Sequence, residues 1–115
     1  LTGGFKMAFV EQSHVNDIGT IFRVTIYDTT STGGSTVADV SDTTTRTLYF
    51  GRPDGSTFAR SAVFTNDGTD GKIEYTTADG DLDVAGTWSI QAYVVSSGGS
   101  FNSTVGNFRV FENLV

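Results

Sequence analysis

A chain of 115 residues is enough for one domain that buries roughly two-thirds of its unfolded surface without staples, and the absence of cysteine removes disulfide, thiol-nucleophile and zinc-thiolate chemistry together. Thirteen acidic against seven basic residues give a formal net charge of -6, and the basic residues are scattered singly, which argues against the clustered positive face that nucleic acid requires. Fourteen glycines, frequent serine and threonine and one proline are the composition of short strands and many turns, and no apolar run approaches the roughly 20 residues of a membrane-spanning helix.

The chain begins Leu1-Thr2-Gly3-Gly4-Phe5-Lys6-Met7. Thr2 to Gly4 can be encoded by a purine-rich ribosome-binding sequence ahead of a start codon at Met7, so residues 1–6 read either as translated upstream sequence or as a real arm. Phe5, Met7 and Phe9 alternate, and with Val10 they make an apolar arm or edge strand within residues 1–19. Residues 11–19 are polar. Thr20 to Asp28 then alternates cleanly, with Phe22, Val24 and Ile26 on one face. A loop of small polar residues around Gly33-Gly34 follows, and Val37 and Val40 suggest a short strand.

Arg46 to Phe50 and Thr57 to Phe64 flank Arg52-Pro53-Asp54-Gly55-Ser56, where proline presets a turn and glycine takes the positive φ of a bulged hairpin. Leu48 and Phe50 face inward. Asn66 to Gly71 is another turn, and Lys72 to Thr76 a strand with Ile73 and Tyr75 inward.

Asp83 to Gly86 marks a corner, with Leu82 inward, that feeds the cleanest strand of all: Trp88, Ile90, Ala92 and Val94 alternate with Ser89, Gln91 and Tyr93. The lone tryptophan can bury a large apolar area while giving its indole N–H to a nearby carbonyl. Gly98-Gly99 is a hairpin tip, and the chain returns through Phe101 to Val110, with Phe108 and Val110 inward and a bulge expected across Gly106-Asn107. Seven or eight short strands with turn signals every eight to twelve residues predict an all-β, antiparallel two-sheet sandwich over residues 20–111, with 112–115 as a tail.

The corner Asp83-Val84-Ala85-Gly86-Thr87-Trp88-Ser89-Ile90 resembles the pattern that enters the sixth strand of many immunoglobulin-like domains, with tryptophan where tyrosine is usual. A longer run is similar to the immunoglobulin-like N-terminal domain of the upper baseplate protein family of tailed phages, over about residues 20–111. It comprises Val40 to Arg46, Phe50 with Arg52-Pro53-Asp54-Gly55-Ser56, Asp67 to Thr76, and Gly80-Asp81-Leu82-Asp83 through Gln91-Ala92. The resemblance implies a non-enzymatic virion structural domain, assembled in the host cytoplasm, that attaches to a neighbouring tail protein. The sequence departs from the family plan in having no coiled-coil heptads or fibre before Val115, so capsid decoration, a head-fibre base and an adaptor stay open beside a baseplate role.

Little chemistry competes with that reading. His14 is the lone histidine and lies in a polar segment without a second ligand nearby, which leaves it a solvated loop residue. Asp79, Asp81 and Asp83 alternate as calcium ligands do, yet the stretch lacks the central glycine and twelfth-position glutamate of a calcium loop, and Asn, Asp and Gly are ordinary turn residues. No catalytic, cofactor or metal residue is assigned. The expected partners are other virion proteins, in multiple copies or as a homo-oligomer, with no nucleic acid and no membrane. The expected contact residues are Phe5, Met7, Phe9 and Val10 at one end and Phe111, Leu114 and Val115 at the other. The rival readings are a carbohydrate-binding module and an adhesin repeat. Tyr27, Tyr49 and Tyr93 fall on outward parities, and a surface glycan would need such rings on one sheet.

Overall fold

β-Branched and aromatic residues at every second position set the architecture, because each strand then has one face that must leave water. The computed structural model describes residues 5–8, 12–29 and 35–113, and among these it contains strands and no helix. In chain order they are β1 (Phe5–Ala8), β2 (Gln12–His14), β3 (Ile21–Thr29), β4 (Ser35–Val37), β5 (Thr45–Gly51) and β6 (Thr57–Ser61). Then follow β7 (Val63–Phe64), β8 (Lys72–Thr76), β9 (Gly86–Ser96), β10 (Gly99–Asn102) and β11 (Gly106–Phe111). The first sheet has the order β1-β3-β8-β7, with β4 also on β3, and the second the order β2-β11-β9-β5-β6, with β10 also on β9.

This is the immunoglobulin-like two-sheet sandwich expected from the strand pattern. All pairs are antiparallel except β2 with β11, which run parallel with Val110 opposite Ser13. Among the described residues eleven strands stand against the expected seven or eight, because the chain changes sheets, or leaves a ladder, in mid-run. Residues 5–14 supply β1 to the first sheet and β2 to the second. The run Thr57 to Phe64 breaks at Ala62, whose N–H donates to the Arg46 carbonyl (2.9 Å) before the chain enters the other sheet as β7. The return strand is interrupted at Ser103 to Val105, not at Gly106-Asn107, where β11 has already begun.

Phe22, Val24, Ile26, Leu48, Phe50, Ile73, Leu82, Trp88, Ile90, Ala92, Val94, Phe108 and Val110 are all buried between the sheets, joined by Ala38, Val40 and Ala62. Burying each large side chain is worth about 1.5–3 kcal/mol before chain entropy is charged against it. Tyr75 corrects the expected list: it is only partly buried, because its ring packs on the core while its hydroxyl reaches Asp81. Trp88 lies against Phe58 and Phe108, with ring centroids 6.0 and 5.8 Å away, and its indole N–H donates to the Val84 carbonyl at 3.0 Å. A tyrosine hydroxyl makes the equivalent bond at the corner of other immunoglobulin-like domains. The β5–β6 loop folds over this corner: Arg52 stacks on Phe58 and pairs with Asp83 at 3.0 Å, and Pro53 lies where a side chain at Gly86 would project.

Candidate functional site: the outer face of the second sheet

Since Leu48 and Phe50 of β5 and Trp88, Ile90, Ala92 and Val94 of β9 point into the core, the alternate residues of both strands point out. The register places Tyr93 opposite Thr47 and Gln91 opposite Tyr49, with Ala59 of β6 on the far side of Tyr49. Tyr49 and Tyr93 are therefore diagonal neighbours on one surface, with ring centroids 6.2 Å apart. Tyr27, the third outward tyrosine, belongs to β3 in the other sheet. The two rings that do share a face incline at 64°, so they form a ridge rather than a flat platform for a sugar chain.

Beside Tyr49 the surface dips. Gly51 pairs with Ser89 on one side and Thr57 on the other, and a Cβ at Gly51 would collide with the Ser89 hydroxyl. The missing side chain leaves a shallow groove of about 110 Å³ lined by Tyr49, Gly51, Thr57, Ser89, Gln91 and Val105. Gln91 is held in place because its amide N–H donates to the Ser103 carbonyl at 2.7 Å. Tyr49 is 41% exposed and Val105 58%, so two apolar groups stand at the groove's rim.

Electrostatically the face is unlike the rest of the molecule. In a chain of net charge -6, none of the carboxylates among the described residues lies on it. They sit in the turns (Asp17, Asp39, Asp42, Asp54, Asp67, Asp70, Asp79, Asp81, Asp83), on the first sheet (Asp28, Glu74) and beyond β11 (Glu112). Outward threonine, serine, glutamine and tyrosine replace them. At the β11 margin Arg109 stacks on Phe111, 5.7 Å from its centroid, and His14 of β2 lies 5.8 Å from the same ring. The outer face of the first sheet, by contrast, carries Arg23, Lys72 and Glu74, with an Arg23–Glu74 ion pair at 3.1 Å.

Of the expected contact residues, Phe111 is 37% exposed and lies on this face. Phe5 and Met7 lie in β1, opposite Asp28 and Ile26 of β3, so that segment is an edge strand of its own domain. Phe9, Val10, Leu114 and Val115 fall outside the described residues. Tyr49 and Tyr93 carried an outward parity in the sequence. Ser89 and Gln91 shared that outward parity, but Gly51 and Val105 carried no signal, and the grouping of the four depends on β5 lying beside β9.

The aspartate-rich turns are occupied by the chain itself. Asp81 is buried and accepts from Arg60 (2.7 Å), from the Tyr75 hydroxyl and from the Ala78 N–H (2.9 Å). Burial pushes its carboxyl up, but those three donors together outweigh burial and hold it below the usual range. Asp83 pairs with Arg52. Asp67 accepts from the Thr69 hydroxyl and N–H, and Asp70 from Asn66 and the Lys72 N–H, bonds that lower both carboxyls. The alternating carboxylates thus diverge, and among the described residues no group of three or more His, Cys, Asp or Glu side chains is placed to hold a metal ion.

Fold and face together define an immunoglobulin-like sandwich with a tyrosine-bearing sheet face that carries no described carboxylate and has Arg109 at its margin. The chain matches no protein-family model and no curated sequence. Among solved structures it is similar to CopC from Methylosinus trichosporium OB3b, at 12% identity and a TM-score of 0.56, covering 96% of this chain and 99% of that one. At that identity the likeness is one of fold.

Proposed function

We propose that this chain is a non-enzymatic structural protein of a tailed-phage particle, an immunoglobulin-like module that docks onto neighbouring virion proteins as a tail or baseplate adaptor, a capsid decoration or the base of a head fibre. The phage setting is supported by the sequence resemblance over residues 20–111. The docking role is supported by one observation: among the described residues of an acidic chain no carboxylate lies on one broad sheet face, and tyrosines stand at its centre. Charge depletion with aromatic enrichment is what distinguishes the centre of a protein interface from ordinary surface.

The test is quantitative mass spectrometry of purified particles, with wild-type chain and with Tyr49→Glu. Wild type should be present at a fixed copy number and the variant depleted at least tenfold, about 1.4 kcal/mol of docking energy. A wild-type chain that sediments away from particles overturns the reading.

The groove beside Tyr49 favours a second reading, a carbohydrate-binding module, since one ring next to neutral hydroxyl and amide groups suits a single neutral sugar. The 64° inclination of Tyr93 counts against a longer glycan. Binding on a glycan array that Tyr49→Ala abolishes would select this reading instead.

A further inference from the structure

We propose that the outer face of the second sheet receives a second copy of this chain, forming a two-fold symmetric, face-to-face pair. The inference rests on the docking reading above and names the partner. Three features of the face carry it.

Charge comes first. Two copies each carrying a net -6 repel in most orientations, because carboxylates surround the turns at both ends of the sandwich and one sits on the first sheet's outer face. Brought together through this face, they keep the described carboxylates in the turns at the rim or on the far sheet. A strongly charged partner of either sign finds no counter-charge across the centre of the face. The surface that fits must be neutral over the same extent, and the face itself meets that condition.

Shape comes second. An isologous contact needs a protrusion and a recess on the same surface, so that each copy offers what the other accepts. Here the exposed Tyr49 and Val105 stand beside the groove over Gly51. A two-fold axis close to Gln91 seats a knob of each copy in the recess of the other.

Size comes third. Five strands about 4.8 Å apart and about seven residues long cover on the order of 600 Å². Two such faces bury about 1,200 Å², the lower end of specific interfaces. The pair is therefore reversible and dependent on concentration.

Sedimentation equilibrium of the full chain tests this, from about 1 to about 300 µM at about 20 and about 500 mM salt. The expected result is a monomer–dimer equilibrium that tightens with salt, as screening relieves repulsion between like net charges. Tyr49→Glu and Val105→Glu, both at exposed positions, should each weaken it at least tenfold, whereas Thr25→Glu on the outward face of the first sheet leaves it unchanged. Circular dichroism confirms that the variants are folded. Wild type monomeric throughout overturns the proposal, and so does a dimer indifferent to both face variants. A monomeric chain whose Tyr49→Glu variant is still lost from particles would keep the docking reading and give the face a different protein partner. A dimer whose Tyr49→Glu variant is retained in particles would keep the pair and sink that reading. Monomeric wild type that binds a glycan through Tyr49 assigns the face to a sugar.

Discussion

Ser13 and Ser103 are both buried, and their hydroxyls meet opposite fates. Ser103 fills the gap where β10 has ended and β11 has not begun: its Oγ accepts from the Ala92 N–H and donates to the Thr104 carbonyl, each at 2.9 Å. Ser103→Ala leaves a buried N–H without a partner and should cost about 2 kcal/mol. The Ser13 hydroxyl, on β2 opposite Val110, has no hydrogen-bond partner among the described residues. Ser13→Ala removes that burden and should raise stability by about 1 kcal/mol. Urea denaturation of the two variants checks both signs at once. Asp81 is the buried carboxyl that contributes to acid sensitivity: in the folded state it titrates below its unfolded value near about 3.9. Its contribution is complete above that value and is lost as pH falls through the depressed folded one. Asp81→Asn should cost about 3 kcal/mol near neutrality, the lower end of the range for a broken buried pair because Arg60 remains 40% exposed. In melts from pH 7 to pH 2, the gap between variant and wild type should hold to about pH 5 and narrow below about pH 4.

Two glycines with positive φ separate turn preference from packing at the level of strands. Gly55 (φ 91°) closes the β5–β6 loop with open space around the position a Cβ would take. Gly55→Ala pays only for the left-handed backbone, about 1 kcal/mol. Gly71 (φ 73°) sits where β4 and β8 share one side of β3, and its Cβ would meet the Ile26 and Ala38 carbonyls at 2.6 and 2.8 Å. Gly71→Ala adds a backbone clash and should cost about 3 kcal/mol or more, which the same melts resolve. The Gly55 turn was readable because proline, aspartate and glycine announce it locally. The break between β6 and β7 was not, for a physical reason. Both sheets face one core, so Phe58, Arg60, Ala62 and Phe64 keep a single inward parity while the chain changes sheet, and alternation runs on unbroken. β2 was invisible because backbone bonds to β11 hold it, with Ser13 as its inward residue. The candidate face was half legible: parity turned Tyr49 and Tyr93 outward, but the pairing of strands far apart in sequence decides which outward residues become neighbours.

At the scale of the molecule, the N-terminal segment borders both sheets at one side of the sandwich, as the β6–β7 run does at the other. β1 covers an edge of β3, and β2 covers the edge of β11. Around β2 the Val15 N–H donates to the Phe111 carbonyl (2.9 Å), the Asn16 N–H to the Leu82 carbonyl (2.6 Å), and Asn113 donates to the Val15 carbonyl (2.9 Å). Truncation before residue 9 therefore uncovers one edge, whereas truncation before residue 15 uncovers both and frees the end of β11. With about 4–8 °C of melting temperature per kcal/mol for a domain of this size, the first should lower the midpoint by about 5–10 °C and the second by about 15 °C or more. The longer truncation should also aggregate on heating, since two open edges are templates for pairing with other chains. The same pair of truncations separates terminal-arm docking from face docking. A protein that docks through the outer face of the second sheet keeps its particle occupancy, and its dimer, without residues 1–8, because β1 lies on the other sheet and contributes nothing to that face. If the N-terminal arm made the contact instead, the shorter truncation alone would empty the particles while leaving the isolated chain folded and its Tyr49 face intact.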